Sequence, residues 1–194
     1  EAQANGVLIA GAHAVARGLA RELDARGIKT VLVDTDPYNV TRAVAAGLPA
    51  RRMSVLAEDT TTSLDLRGVG RLLAFTSNDE VNALATGRFA RVFGRREVFQ
   101  LVPSSRRPGA AAVPEEYLGR LIGIEGISYA MLDDRSRQGW RVRGARAGAL
   151  LDTAVAEDRF IPIVRIIDGR MAFLCRNDAL PTTGPLPDAG LATP

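Results

Sequence analysis

Short unbroken apolar runs alternate with stretches in which apolar residues recur at helical spacing. Val7-Leu8-Ile9-Ala10 is the first run and Val31-Leu32-Val33 the next. Between them Val15, Leu19 and Leu23 fall on one stripe of a helix that can pack on a sheet. Gly27 sits where such a helix ends in a left-handed residue. The pattern predicts a strand, a tight turn at Gly11, a helix and a second, parallel strand closed by Asp34. Asp36-Pro37 reads as an N-cap with proline at the first helical position, opening a helix that stops at Gly47. A third strand is expected at Arg51 to Val55, a short helix at Thr61 to Leu66 and a fourth strand at Arg71 to Phe75. Asn78 is placed to cap the following helix, with Asp79 and Glu80 in its first turn. Val81, Leu84, Ala85, Phe89 and Val92 are expected to form that helix's buried stripe, and Gly94 to end it. Glu97 to Val102 is the fifth strand. This alternation argues for an α/β fold, a Rossmann-like doubly wound parallel sheet, over residues 1–102.

The rhythm breaks at Pro103. Residues 103–114 are rich in proline, serine, arginine and alanine and read as a linker. Residues 115–180 read as a smaller α+β unit. Helices are expected at Glu115 to Leu121 and Ile127 to Arg135. A strand is expected at Trp140 to Arg146, with Arg141 and Arg143 opposite Val142. Phe160 to Ile167 and Met171 to Leu174 flank Asp168-Gly169-Arg170, a hairpin signal. From Pro181 the composition predicts a disordered tail, residues 181–194.

Composition narrows the function. The chain has 194 residues, 46% hydrophobic, enough for one ordinary domain and a smaller one. Its 25 basic and 22 acidic residues give a net charge of +3. With a pI near 9.6, this mildly favours an anionic neighbour. Lys29 is the only lysine, and the arginine pairs at 51–52, 95–96 and 106–107 read as solvated surface. A nucleic-acid face would add interleaved aromatics, and these are scarce, so no nucleic-acid partner is expected. Cys175 is the single cysteine, which excludes an internal disulfide. No run approaches the roughly 18 apolar residues of a membrane span, and no signal peptide is visible. The chain begins at Glu1 rather than methionine, so it is expected to be a piece of a longer protein.

The first strand–helix–strand unit has the plan of a nucleotide site. A helix amino terminus offers free N–H groups and partial positive charge to a phosphate. An acid closing the second strand, close to the expected interval of about 20 residues on, can accept from ribose hydroxyls. The glycine fingerprint is damaged. Ala16 is a tolerated third position, but His13 stands where a second glycine would let the backbone approach a pyrophosphate. His13, the only histidine, has three readings: a cation on a phosphate, a hydrogen-bonded turn residue, or a plug; the last two are preferred. Asp34 is a ribose acceptor or simply strand-end polarity, and Asp36 a helix cap. The strand ends Gly11-Ala12-His13, Asp34-Thr35-Asp36, Ser54-Val55 and Thr76-Ser77-Asn78 hold hydroxyls and acids but no catalytic group. No Gly-x-Ser-x-Gly elbow, phosphate-binding Gly-x-x-x-x-Gly-Lys loop or metal-ligand spacing is present. Lys29 lies at the wrong end of the sheet to donate a proton to a nicotinamide. The expectation is a binding module, not an enzyme.

The runs Val7-Leu8-Ile9-Ala10-Gly11, Val31-Leu32-Val33-Asp34-Thr35-Asp36 and Thr76-Ser77-Asn78-Asp79-Glu80-Val81-Asn82 resemble the regulator-of-potassium-conductance family, also called TrkA-N. With Arg88-Phe89-Ala90 and Phe93-Gly94, the last run is similar to the cytosolic part of bacterial sodium:proton antiporters. So, less specifically, is the unit from Tyr117 to Leu174. The resemblance implies a regulatory domain on the cytoplasmic side of the cell membrane. It would hang from a transmembrane ion-transport domain, in the same or a partner chain, and pair into a homodimer. It also implies binding of NAD(H), AMP, ADP or ATP, with the ligand altering transport. The site it implies comprises Gly11, Ala12, His13, Ala14, Val15, Asp34, Thr35, Asp36, Ser54, Val55, Thr76, Ser77 and Asn78. Two departures weigh against a dinucleotide: His13, and Ser54-Val55 where the family has Gly-Asp. A mononucleotide, or no nucleotide in a structural dimerisation module, then gains ground. An NAD-dependent oxidoreductase is the remaining alternative.

Overall fold

The computed structural model describes residues 4–103, 114–145, 149–176, 178 and 189–192. The first half runs β1 (Gly6–Ala10), α1 (Ala14–Asp24), β2 (Thr30–Asp34), α2 (Pro37–Ala45), β3 (Ala50–Arg52), α3 (Thr60–Ser63), β4 (Val69–Ala74), α4 (Asp79–Phe93) and β5 (Val98–Gln100). After it come β6 (Arg120–Leu121), α5 (Tyr129–Arg137), β7 (Arg141–Gly144), α6 (Ala149–Ala156), β8 (Phe160–Ile167), β9 (Arg170–Phe173) and β10 (Ala189–Ala192). Strands β1 to β6 form one parallel sheet in the order β3-β2-β1-β4-β5-β6. The order reverses between β1 and β4, and this switch opens a crevice beyond their carboxyl ends.

Apolar runs suit these strands because both sheet faces are covered. Val7, Ile9, Leu32 and Leu73 enter one core with α1 and with Ala43 of α2. Leu8, Val31, Val33 and Leu72 enter the other with Ala85 and Phe89 of α4. The predicted stripe of α1 is in place: Val15, Leu19 and Leu23 are buried. Full burial of a leucine contributes about 2 kcal/mol.

A second, antiparallel sheet has the order β7-β10-β8-β9. The predicted hairpin joins β8 to β9. Asp168 and Gly169 both have positive φ, 50° and 74°, as a two-residue turn of matching twist requires. This sheet does not stand apart. Trp140, Val142, Ile163, Val164 and Phe173 belong to the same core as Val7 and Leu19. Gly18 of α1 permits the approach, since a Cβ there would lie 3.0 Å from that of Val142. Helix α1 is thus sandwiched between the sheets. Ile122 and Cys175 form an antiparallel bridge that ties the sheets together past β6 and β9.

Several expectations need correction. Leu84 and Val92 of α4 are 62% and 50% exposed, whereas Asn82 and Thr86 take the buried side. Their polar groups are paired internally: the Thr86 hydroxyl shares its one proton between Ala83 O at 2.9 Å and Gln100 Oε1 at 3.2 Å. The helix expected at Glu115 to Leu121 is a single 3-10 turn at Glu115–Tyr117, followed by β6, which extends the first sheet. The sequence pattern does not predict helix α6. Ala189–Ala192, expected in a disordered tail, form β10 between β7 and β8. Most of the expected linker, residues 104–113, and the rest of the expected tail, 181–188 and 193–194, lie outside the described residues.

Candidate functional site

The turn between β1 and α1 is built by Gly11. Its φ is +115°, and a Cβ there would lie 2.8 Å from the Phe75 carbonyl oxygen, so only glycine lets β1 and the end of β4 approach this closely. Its N–H donates to Val33 O at 2.7 Å. The next amide, of buried Ala12, donates to Asp34 Oδ2 at 2.8 Å. Asp34 therefore closes β2 by reaching back to the turn. Its Oδ2 also accepts from the Asn39 side chain at 3.0 Å, and its Oδ1 from Asp36 N at 3.0 Å. A carboxylate offers about four acceptor positions, so one on Oδ1 remains.

His13 is the N-cap of α1. Its Nδ1 accepts from Ala16 N at 3.4 Å, and its Nε2 lies 2.8 Å from Phe75 O, so Nε2 carries the proton and donates. The ring packs against Phe75, centroids 5.1 Å apart, and edge-on against Tyr129 of α5, 5.3 Å apart. Burial lowers its pKa below the ordinary 6.5, against the raising pull of the Phe75 carbonyl and Asp34. Imidazole is thus neutral at pH 7 and serves as a hydrogen-bonded turn residue. Burial first, then Asp133 and Asp34, hold the Tyr129 phenol above its ordinary 10.0.

The lowered pKa has a sign that can be checked. The unfolded chain takes up this proton first, so stability is full above about pH 6.5 and is lost as pH falls through the lowered folded value. Urea midpoints at about pH 7.5 and about pH 5 should reveal a loss that His13→Asn removes, asparagine being a good N-cap that does not titrate. An equal loss in the variant would place the effect elsewhere.

The first-turn amides of Ala14 and Val15, like that of His13, have no partner among the described residues. Arg17, one turn on, donates from Nη1 to Ala12 O at 2.6 Å. Its pKa is lowered, by burial first and by the nearby Arg42 guanidinium next.

The other predicted residues divide. Thr35 is exposed beside Asp34, and Asp36 caps α2 by accepting from Tyr38 N at 2.8 Å. Val55 is 4% exposed and turned into the core that holds Leu64 and Phe89, so it offers the crevice no side chain. Ser54 accepts from Leu56 N at 3.1 Å, shaping its own turn. Asn78 caps α4 through Glu80 N and Val81 N, both at 3.0 Å, and Ser77 is exposed before it. Thr76 is clamped by Asn82, whose Oδ1 accepts from Thr76 N at 3.0 Å and from Thr76 Oγ1 at 2.8 Å. Asn82 Nδ2 donates to Thr76 O at 2.9 Å. Reading the sequence for site residues missed Asn82, Arg17 and Tyr129. For Asn82 a signal existed, a polar residue on the apolar stripe. Nothing local marks Tyr129. Among the described residues no group of histidine, cysteine and carboxylates could hold a metal ion.

A parallel sheet ordered 3-2-1-4-5-6, with free helix amides and an acid facing its switch crevice, defines a Rossmann-type nucleotide-binding fold. Residues 7–107 match the TrkA-N domain. The chain belongs to the TrkA-N domain family, a family of nucleotide-binding Rossmann domains. Among solved structures it is similar to the NAD(P)-binding domain of an exopolyphosphatase-related protein from Archaeoglobus fulgidus. Identity there is 27%, with 58% of this chain and 80% of that chain covered and a TM-score of 0.46. It is also similar to SirC, a precorrin-2 dehydrogenase, at 18% identity over 81% of this chain and 67% of that one, with a TM-score of 0.37. No curated protein matches the chain.

Proposed function

We propose that this chain is a non-catalytic, nucleotide-sensing regulatory domain of a membrane cation:proton antiporter or potassium transport system. It works as a homodimer on the cytoplasmic side of the membrane. The observation that carries the sensing claim is the pair of unpartnered amides at Ala14 and Val15 beside the spare Asp34 acceptor. A phosphate fits the amides, and a ribose hydroxyl fits the carboxylate. On the other side of the crevice His13 and Tyr129 fill the region over Phe75 where the second half of a dinucleotide would extend. The residues therefore fit AMP, ADP or ATP better than NAD(H). Both imidazole nitrogens are committed, which leaves His13 unable to move a proton and supports a sensing role over a catalytic one.

Tyr129 gives the sensor an output. A ligand that shifts His13 must also shift the first residue of α5, and through it the second sheet. The exposed Leu84 and Val92 on α4 support pairing of two copies, since apolar side chains on a helix face favour burial in an interface. Among the described residues no helix is long and apolar enough to cross a membrane, so this reading takes the transport part to lie elsewhere.

The second reading, a structural dimerisation module without nucleotide, is favoured by the capping of Ala16 N by His13, which takes one of the phosphate-facing amides. Calorimetric titration with AMP, ADP, ATP and NADH decides between them, alongside sedimentation with and without ligand. The expected result is binding of an adenine mononucleotide tighter than NADH. In His13→Gly the NADH affinity should rise about tenfold or more while AMP affinity changes little, glycine being an acceptable cap. No binding of any of the four at about 1 mM would leave the structural module.

A further inference from the structure

We propose that the corner between the two sheets is a second ligand site, separate from the crevice, for a small organic monoanion with a flat apolar body. A cavity of about 370 Å³ lies there, within the size range of small-molecule sites. It is at the opposite end of the parallel strands from Gly11. Arg71 sits near the start of β4, Glu97 immediately before β5, and Arg120 opens β6. The facing wall comes from β8 and β9. A ligand here would touch both sheets at once.

The cavity's apolar lining is aromatic and preformed. Phe99 of β5 and Phe173 of β9 are both buried, their ring centroids 4.8 Å apart, and Met171 and Leu174 extend the surface. The charges around it do not cancel. Arg71 Nε is paired with Glu97 Oε2 at 2.9 Å, and its Nη1 donates to Asn5 O at 3.0 Å. Asp178 Oδ2 accepts from Cys175 N at 2.7 Å. Two further guanidiniums face the same space. Arg120 lies over the Phe99 ring, 5.2 Å from its centroid, and among the described residues its side chain has only Arg96 O as a hydrogen-bond partner, at 3.5 Å. Arg165, half-buried in β8, has no hydrogen-bond or ion-pair partner among the described residues. Arg71 and Glu97 balance each other. Arg120 and Arg165 against Asp178 leave one positive charge, which one carboxylate or phosphate ester monoanion would neutralise. Guanidinium suits this task, because its planar fork matches a carboxylate while its face stacks on an aromatic ring. The ligand's apolar body would lie against the stack that Arg120 and Phe173 make with Phe99, not between the rings.

The nucleotide reading plays no part in this inference, so its tests are independent of AMP binding. The probe is 1-naphthoate, titrated into 15N-labelled protein and followed by amide chemical shifts. Saturable shifts are expected at Leu121, Ala172 and Phe173, with Ala12 and Ala14 unmoved. Arg165→Gln and Arg120→Gln should each weaken binding about tenfold or more, and uncharged 1-naphthamide should bind weakly in the same way. Arg120 is exposed, so its variant keeps the test sound even if Arg165→Gln perturbs the fold. The proposal is overturned by any of three results: no saturable shift up to about 10 mM, equal affinity in the Arg120→Gln protein, or shifts centred on Gly11 to Val15.

Discussion

Replacing Asn82 with leucine should lower stability by about 3 kcal/mol, even though leucine restores an apolar residue to an apolar stripe. Asn82 has no exposed surface, and its amide makes three hydrogen bonds to Thr76 alone. Leucine would leave the Thr76 N–H and C=O without partners, and each such group costs about 1–3 kcal/mol where water cannot reach it. The Thr76 hydroxyl would keep Asn78, donating to its carbonyl oxygen and accepting from its N–H, both at 3.2 Å. The clamp also fixes the direction in which the chain leaves β4 for the Asn78 cap. The amide of Thr76 should therefore exchange with solvent far faster in the variant, while amides in β1 follow the global change. A urea midpoint shifted by less than the equivalent of about 1 kcal/mol at unchanged slope would show that the clamp does not hold this end of the sheet.

The second large effect is expected at Asp34. Asp34→Ala removes the acceptor for Ala12 N, an amide buried in the turn, and for Asn39 and Asp36 as well. A loss of about 3 kcal/mol follows, since hydrogen bonds to a charged group contribute about 1.5–3 kcal/mol and one donor is left buried. Asp34→Asn should cost about 1 kcal/mol, because its carbonyl can keep Ala12 and Asn39 while its NH₂ group meets the Asp36 N–H. The two variants separate building from binding. On the proposed function Asp34→Asn keeps the turn but weakens AMP binding about tenfold, through loss of the charged ribose acceptor. Unchanged AMP affinity in that variant would mean that Asp34 serves the turn alone. Equal stability losses for alanine and asparagine would show that the three hydrogen bonds contribute little.

The crevice was partly legible because its signals are local. Gly11, the Asp36 and Asn78 caps and the acid closing β2 each act on backbone within a few residues, and sequence neighbours suffice to recognise them. Residue type narrows His13 to a hydrogen-bonded turn residue or a plug, but it does not reveal its N-cap role or its choice of Phe75 and Tyr129 as neighbours. The α4 stripe departs from the expected face for a definite reason. The rule that polar residues face water fails when hydrogen bonds close inside, as they do for Asn82 on Thr76 and for Thr86 on Gln100. That rotation of the stripe leaves Leu84 and Val92 outside. Gln100, itself fully buried, also accepts from Gly119 N at 2.8 Å, which brings β6 to the sheet edge.

By itself the sequence determined the strand–helix alternation of the first half, the parallel sheet, the β8–β9 turn and the position of a nucleotide-type crevice. All of these follow from periodicity, capping and turn chemistry over short stretches of chain. Only the tertiary structure decided that β10, an Ala-Gly-Leu-Ala segment with little strand propensity, is held between two partners, and that Gly18 lets Val142 press α1 from its far side. It alone also decided that Tyr129 leans on His13 and that Arg165 faces a cavity without an ion-pair partner among the described residues. Each of these pairs residues far apart along the chain. Such a contact is selected by the shape and charge of a surface that does not exist until the rest has folded, so no local pattern records it.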